Sequence, residues 1–152
     1  MASNDLPTGY VLVEGYPLVE DYVHLRTASG LTPKNAEQAR GAINGSWYGV
    51  YVAEEAAPTR AIAMGRIIGD GGWYFLIADM ATLPEHQRKG LGNAIMTKLL
   101  ARVRSQAPKG TAYVVLGADL PGRRLYAKHG FRDTMPSEMG MGLRVEAPGP
   151  GQ

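Results

Sequence analysis

PEHQRKGLGNAIM, residues 84–96, sets two glycines one residue apart where a loop becomes a helix. Gln87, Arg88 and Lys89 precede them; all three donate hydrogen bonds and two are cationic. Two readings compete. Either the glycines ease a tight strand-to-helix turn, or they make a seat for a phosphate. A helix N-terminus offers unpaired N–H groups and partial positive charge, glycines let an anion approach the backbone, and flanking cations add attraction. Two familiar phosphate loops are excluded. The Walker A pattern occurs nowhere in the chain, and the dinucleotide fingerprint would need a third glycine where Ile95 stands.

Outward from this stretch, WYFLIADMATL (73–83) is a nearly continuous apolar run, as expected of a strand covered on both faces. Pro84 ends it. Downstream, Leu91, Ala94, Ile95, Leu99 and Val103 recur at helical spacing and predict an amphipathic helix from Gly90 to about Ser105. AYVVLGA then reads as a buried strand, LPGRRLYAKHG as a short helix ended by Gly130, and the remainder as one or two closing strands. Upstream, SWYGVYVAEE and RAIAMGRIIG read as strands joined by a turn at Ala57-Pro58-Thr59, with Asp70-Gly71-Gly72 as a second turn. YVLVEG is a first strand. Leu18, Tyr22, Leu25 and Arg26 mark a helix that stops near Gly30, and Thr32-Pro33 looks like the cap of a helix through about Ile43. The order predicts a mixed-sheet α/β domain with one strand–helix–strand crossover.

At 152 residues the chain has the size of one domain, expected over residues 1–146, with the Pro/Gly-rich residues 147–152 as a flexible tail. No apolar run of about 18 residues predicts a membrane span, and MASNDLPTGY lacks the basic and apolar regions of a secretory signal. Zero cysteines exclude disulfides, thiolate metal sites and a cysteine nucleophile, which fits a cytoplasmic protein. The net charge is +2 and the sixteen Lys and Arg are scattered, apart from Arg88-Lys89 and Arg123-Arg124. That pattern favours a small anionic ligand over nucleic acid or a membrane surface.

ADMATLPEHQRKGLGNAIM resembles the acetyl-CoA signature of the GNAT acetyltransferase superfamily, Q/R-x-x-G-x-G/A after a strand ending in V-x-P-E. Gln87, Gly90 and Gly92 match, Pro84 and Glu85 are in register, and Thr82 replaces the usual valine. RLYAKHGF (124–131) resembles the family's L-Y-x-K-x-G-F segment, and the resemblance extends over about residues 10–145. It implies the GNAT fold: a mixed, mostly antiparallel sheet with splayed fourth and fifth strands, flanked by about four helices. It further implies an acetyl-CoA-dependent N-acetyltransferase without a metal. The amides of Arg88, Lys89, Gly90, Leu91, Gly92 and Asn93 would hold the pyrophosphate, with Gln87 part of the same loop, and those of Met80 and Thr82 would pair with the pantetheine arm. Such tethering is mainly a positioning effect.

Acetyl transfer to an amine needs a neutral nucleophile, though an alkyl amine has a pKa of about 10. It also needs donors for the oxyanion, expected near Met80, and an acid for a leaving thiolate of pKa about 8.5. By the resemblance Tyr126 is that acid; the bland reading is a half-buried helix tyrosine. Asp119 stands where the family often has an asparagine on CoA. Asp79 is the lone charge in its apolar strand, and an ionised carboxylate there is expensive unless paired or functional. It is read as a base whose pKa burial raises, or else as a structural salt bridge; the glutamate of histone-type members would fall at Leu76. His24, Arg26, Ser29, Leu31, Trp73, Tyr74 and Asp79 form the expected acceptor side. His86 is read as a loop residue facing solvent or phosphate, and His129 as a cation complementing a helix end. The methionines of 135–141 are strand core or the surface of a homodimer. The acceptor is expected to be a small primary amine. A protein lysine or N-terminal amine is the alternative, and a non-catalytic acyl-CoA-binding module the further one.

Overall fold

A computed structural model of the chain describes residues 6–150. The last two residues of the expected tail and the first five of the N-terminal stretch lie outside the described residues. Five strands and four α-helices follow in the order β1 (Tyr10–Glu14), α1 (Val19–Ala28), α2 (Ala36–Asn44), β2 (Tyr48–Glu54), β3 (Ala61–Gly69), β4 (Tyr74–Thr82), α3 (Leu91–Gln106), β5 (Tyr113–Val115) and α4 (Arg123–Lys128). A 3₁₀ turn, Pro84–His86, joins β4 to the glycine loop. The sheet runs β1-β2-β3-β4-β5, antiparallel through β4, with β5 parallel to β4. No helix among the described residues is long and apolar enough to cross a membrane.

Side chains show which face each helix covers. A Cβ on Gly65 of β3 would point at Ile95 and Leu99 of α3, whereas the next residue, Arg66, bonds the carbonyl of Ala42 in α2. Because successive strand residues face opposite ways, α3 lies on one face and the α1–α2 pair on the other. Leu91, Ala94, Ile95, Leu99 and Val103 are all buried, as their spacing predicts. Helix α1 buries Tyr22 and Leu25, together with Asp21, whose carboxylate takes two bonds from Arg60 and one from the Ala61 amide.

Three expectations need correction. The second helix starts at Asn35, not Thr32: Asn35 and Gln38 cap each other reciprocally, at 2.8 and 3.1 Å. The Thr32 carbonyl instead accepts from Arg26. Strand β4 is not covered on both faces throughout; Phe75, Ile77 and Ala81 are buried, Tyr74 is exposed and the others are half-buried. Finally, β5 is only three residues long, and no closing strand follows α4 among the described residues. The outer edge of β5 therefore borders an open cleft that reaches Tyr126, His129 and Phe131.

Strand β4 carries one irregularity. Arg66 pairs with Ala78 and Met64 with Ala81, so Gly65 faces both Asp79 and Met80. Such a bulge re-aims a side chain. Asp79 takes the left-handed conformation, φ 57°, which aspartate tolerates better than most residues. Ala78 and Asp79 consequently both face α1, while Met80 returns to the α3 face beside Gly65. In a regular ladder the carboxylate would point at Ile95 and Leu99.

Candidate active site

The glycine loop is built as an anion seat. Arg88 (φ 59°) and Gly90 (φ 82°) are both left-handed, and Gly90 caps α3 without any side-chain cap bond. The first helix amide to find a backbone acceptor is that of Ala94, on the Gly90 carbonyl at 3.1 Å. Among the described residues, no backbone carbonyl accepts from the amides of Arg88, Lys89, Gly90, Leu91, Gly92 or Asn93. That is a row of orphan donors at the positive end of a 16-residue helix. Gln87 ties the loop to the sheet by donating its side-chain amide to the Thr82 carbonyl at 3.0 Å. Lys89 leans on Tyr10, with Nζ 3.3 Å from its hydroxyl, so Arg88 is the freer of the two cations. A methyl group at a φ of this sign costs about 1–2 kcal/mol. Gly90→Ala is therefore expected to destabilise the fold by that amount in denaturant titration, although its Cβ would meet nothing within 4 Å.

Beside this loop the sheet opens. Strand β5 pairs only with Tyr74, Phe75 and Leu76, which leaves β4 from Ile77 to Thr82 without a strand on that side. Met80 and Thr82 both lie in the open length. Helix α4 closes the other flank: a Cβ on Gly92 would lie 3.2 Å from Leu125, and His129 Nε2 is 2.8 Å from Asn93 Oδ1. These contacts bring the two sequence motifs together. Tyr126 is half-buried, its ring edge-on to Phe131, and its hydroxyl has no hydrogen-bond partner among the described residues. Burial, with the nearby Asp119 charge, pushes its pKa up. Asp119 itself accepts from the Gly122 amide at 3.1 Å, capping the turn into α4.

Asp79 sits at the centre of a polar cluster under α1. Its carboxylate accepts from Tyr22 (2.5 Å), from Arg66 Nε (2.6 Å) and from Arg26 Nη1. Only 6% of the side chain is exposed. Burial alone would push the carboxyl up, yet the Tyr22 and Arg66 hydrogen bonds and the two guanidinium charges outweigh it and hold the pKa below the ordinary carboxylate value. The expectation of a raised pKa is thus corrected: Asp79 is ionised and ligated on both oxygens. Tyr22, pushed up to about 12 by burial and by Asp79, remains a donor. Sequence reasoning misses Arg66 and Tyr22. Arg66 carries a usable signal, being the only charge in AIAMGRIIG, as Asp79 is in its own strand.

An acetyltransferase (GNAT) domain model matches residues 46–133. A protein of unknown function from meticillin-resistant Staphylococcus aureus, described as a probable acetyltransferase, is 34% identical. The match covers 90% of this chain and 99% of that one, with a TM-score of 0.82. The chain belongs to the GNAT acetyltransferase family. Two more distant structures share the fold. The ribosomal-protein-S18-alanine N-acetyltransferase of Escherichia coli is 15% identical over 81% of this GNAT chain and 77% of its own, at a TM-score of 0.65. Glucosamine-6-phosphate N-acetyltransferase of Arabidopsis thaliana is 15% identical over 90% and 99%, at 0.62. One is named for a protein acceptor and the other for a small amine, so the GNAT fold alone does not choose between them. No curated protein sequence matches the chain.

Several expected site residues of this GNAT enzyme lie elsewhere. Trp73 and Tyr74 stack edge-on at the start of β4, at its paired end. With about 3.3 Å of rise per residue, Tyr74 stands roughly 16 Å along the strand from Asp79. His24 is on the exposed face of α1, opposite the face that carries Tyr22 and Arg26. Ser29 caps α1, with its hydroxyl 3.4 Å from the Arg26 carbonyl, and Leu31 packs against the core. His86 is turned away from solvent; its Nδ1 bonds Tyr10 at 2.7 Å and its Nε2 lies 3.4 Å from the Glu54 carboxylate. His129 is not a helix-end cation, because burial and the charges of Lys128 and Arg104 hold its pKa below the usual value. Of the expected acceptor-side residues, Arg26 is the one whose side chain reaches Asp79.

Proposed function

We propose that the chain transfers the acetyl group of acetyl-CoA to a primary amine of a small molecule by direct attack in a ternary complex. One observation carries this reading: the orphan amides of residues 88–93, the open edge of β4 at Met80 and Thr82, and Tyr126 on α4 converge on one seam of the fold. The loop fits a pyrophosphate, since it offers unpaired N–H groups and the Arg88 charge and no carboxylate bonded within it. The open strand edge fits an amide-bearing arm, which would pair with it as an added strand does. Acetyl-CoA bound there supplies the activated carbonyl.

This chain's residues then hold the reactants. A neutral amine attacks the carbonyl carbon, the C–N bond forms, and a backbone amide near Met80 faces the oxyanion. The amine nitrogen gives its proton to water, the C–S bond breaks, and the sulfur leaves as a thiolate. Tyr126 donates to that sulfur. With its pKa pushed up by burial and Asp119, full proton transfer to a thiolate is uphill. Its main contribution is therefore a hydrogen bond to the developing charge, the solvent completing protonation. Asp79, ionised and ligated, serves to position Tyr22, Arg26 and Arg66 and does not remove the amine's proton.

Titration calorimetry with CoA, followed by a thiol-release assay over a panel of small amines and N-terminal peptides, tests the proposal. Micromolar CoA binding and turnover of small amines are expected. Absence of CoA binding sinks the cosubstrate assignment, and preference for peptides sinks the small-amine one.

A further inference from the structure

Two guanidiniums share one carboxylate beneath α1. Arg26 and Arg66 are each 13% exposed and both pair with Asp79, so the cluster holds one positive charge in excess. No second carboxylate lies in ion-pair range of either arginine among the described residues. Their remaining bonds go to neutral acceptors: Arg26 Nε to the Thr32 carbonyl (2.9 Å), and Arg66 Nη1 to the Ala42 carbonyl and Ser46 Oγ (both 3.1 Å). The Nη2 group of each arginine has no partner among the described residues. Among those residues, no fully buried side-chain nitrogen or oxygen goes without a partner. The two Nη2 groups therefore reach solvent, as donors held in place by the rest of the cluster.

Their position matters as much as their charge. Asp79 precedes Met80 on the open length of β4, and the bulge turns its carboxylate toward α1. The arginines thus stand next to the stretch of strand against which the thioester is proposed to lie. We propose that the acceptor amine carries an anionic group, a carboxylate or a phosphate, and that Arg26 and Arg66 bind it through these free donors. The assignment rests on the acetyl-transfer reading above and names the class of acceptor. A planar guanidinium suits either anion, because its N–H groups form a fork matched to two oxygens. Amine and anion would be a few bonds apart, since the arginines reach no further from the strand than one aspartate side chain and a hydrogen bond.

Matched acceptor pairs give the test on the wild-type chain. Thiol release is followed for amino carboxylates of increasing amine-to-acid spacing against their carboxamides, and for phosphorylated amino alcohols against the free alcohols. The expected result is a preference for the anionic member of about 10- to 100-fold in kcat/KM, the range of one charge-assisted hydrogen-bond set, greatest at short spacing and weakened by salt. The carboxylate and phosphate arms separate the two sources. Arg26→Gln and Arg66→Gln should shrink the anionic-over-neutral ratio mainly through KM, with Arg26→Lys and Arg66→Lys restoring part of it. The matched pairs decide alone if the glutamine variants unfold. Failure of CoA to bind in calorimetry would overturn the acetyl-transfer reading itself. CoA binding with equal or better turnover of the neutral members, with no anionic amine accepted, or with a ratio indifferent to the arginine variants, would overturn this inference and leave that reading standing.

Discussion

Tyr126→Phe is expected to lower kcat by about 10²- to 10³-fold, the usual range for loss of one hydrogen-bond donor to the developing charge. The same variant should leave the melting temperature and CoA affinity close to wild type. Both expectations follow from the geometry. The ring packs on Phe131 and against Gly122, and phenylalanine preserves those contacts. The hydroxyl bonds nothing among the described residues, so its removal orphans no partner. Burial and Asp119 push the phenol upward, so the wild-type donor should stay protonated to above about pH 10. Alkaline loss of activity below that point then belongs to another group. Steady-state kinetics across pH, with calorimetry of CoA on the variant, measure both halves; an unchanged kcat would remove Tyr126 from the chemistry.

The second large effect is on stability. Asp79→Asn keeps a residue that accepts the left-handed conformation but deletes the charge between Arg26 and Arg66. Removing one partner from a buried ion pair costs about 3–5 kcal/mol, which for a domain of this size lowers the melting temperature by on the order of 10 °C. The pH dependence has a definite sign. The folded pKa lies below the unfolded one, so Asp79 contributes stability above about pH 4, and this is lost as pH falls through the folded value. Melting curves of wild type and variant should therefore converge on acidification. A pH-independent gap would mean that the carboxylate's charge is not what the cluster needs.

The parts of the molecule that local chemistry decides are legible in the chain itself. The apolar spacing of α3, the turn residues between β2, β3 and β4, and the glycine loop all act within a few residues of themselves. So does the lone charge at Asp79, which marks a polar centre though not its purpose. What it does there depends on Tyr22, Arg26 and Arg66, which arrive from two other elements. Trp73 and Tyr74 are easily misplaced because a strand read alone does not reveal which end β5 covers. The start of α2 is ambiguous because Thr32-Pro33 and Asn35 offer competing caps three residues apart, and only the reciprocal bonds of Gln38 decide between them. The closing strands are expected from residues with strand-like alternation, yet Met139, Met141, Leu143 and Val145 are exposed and unpaired. Alternation marks a face that could be buried; it supplies no partner edge.

A strand is a two-beat pattern, and the extra residue in β4 makes it skip one beat halfway along. Before the skip, odd-numbered residues such as Ile77 share the α3 face with Gly65; after it, the even-numbered Met80 does. Gly65 leaves room for this arrangement from across the ladder, since a Cβ there would come within 2.6 Å of both Ile95 and Met80. One residue more than the ladder needs, opposite one with no side chain, therefore sets Asp79 and Met80 on opposite faces of the sheet from a single position across the ladder.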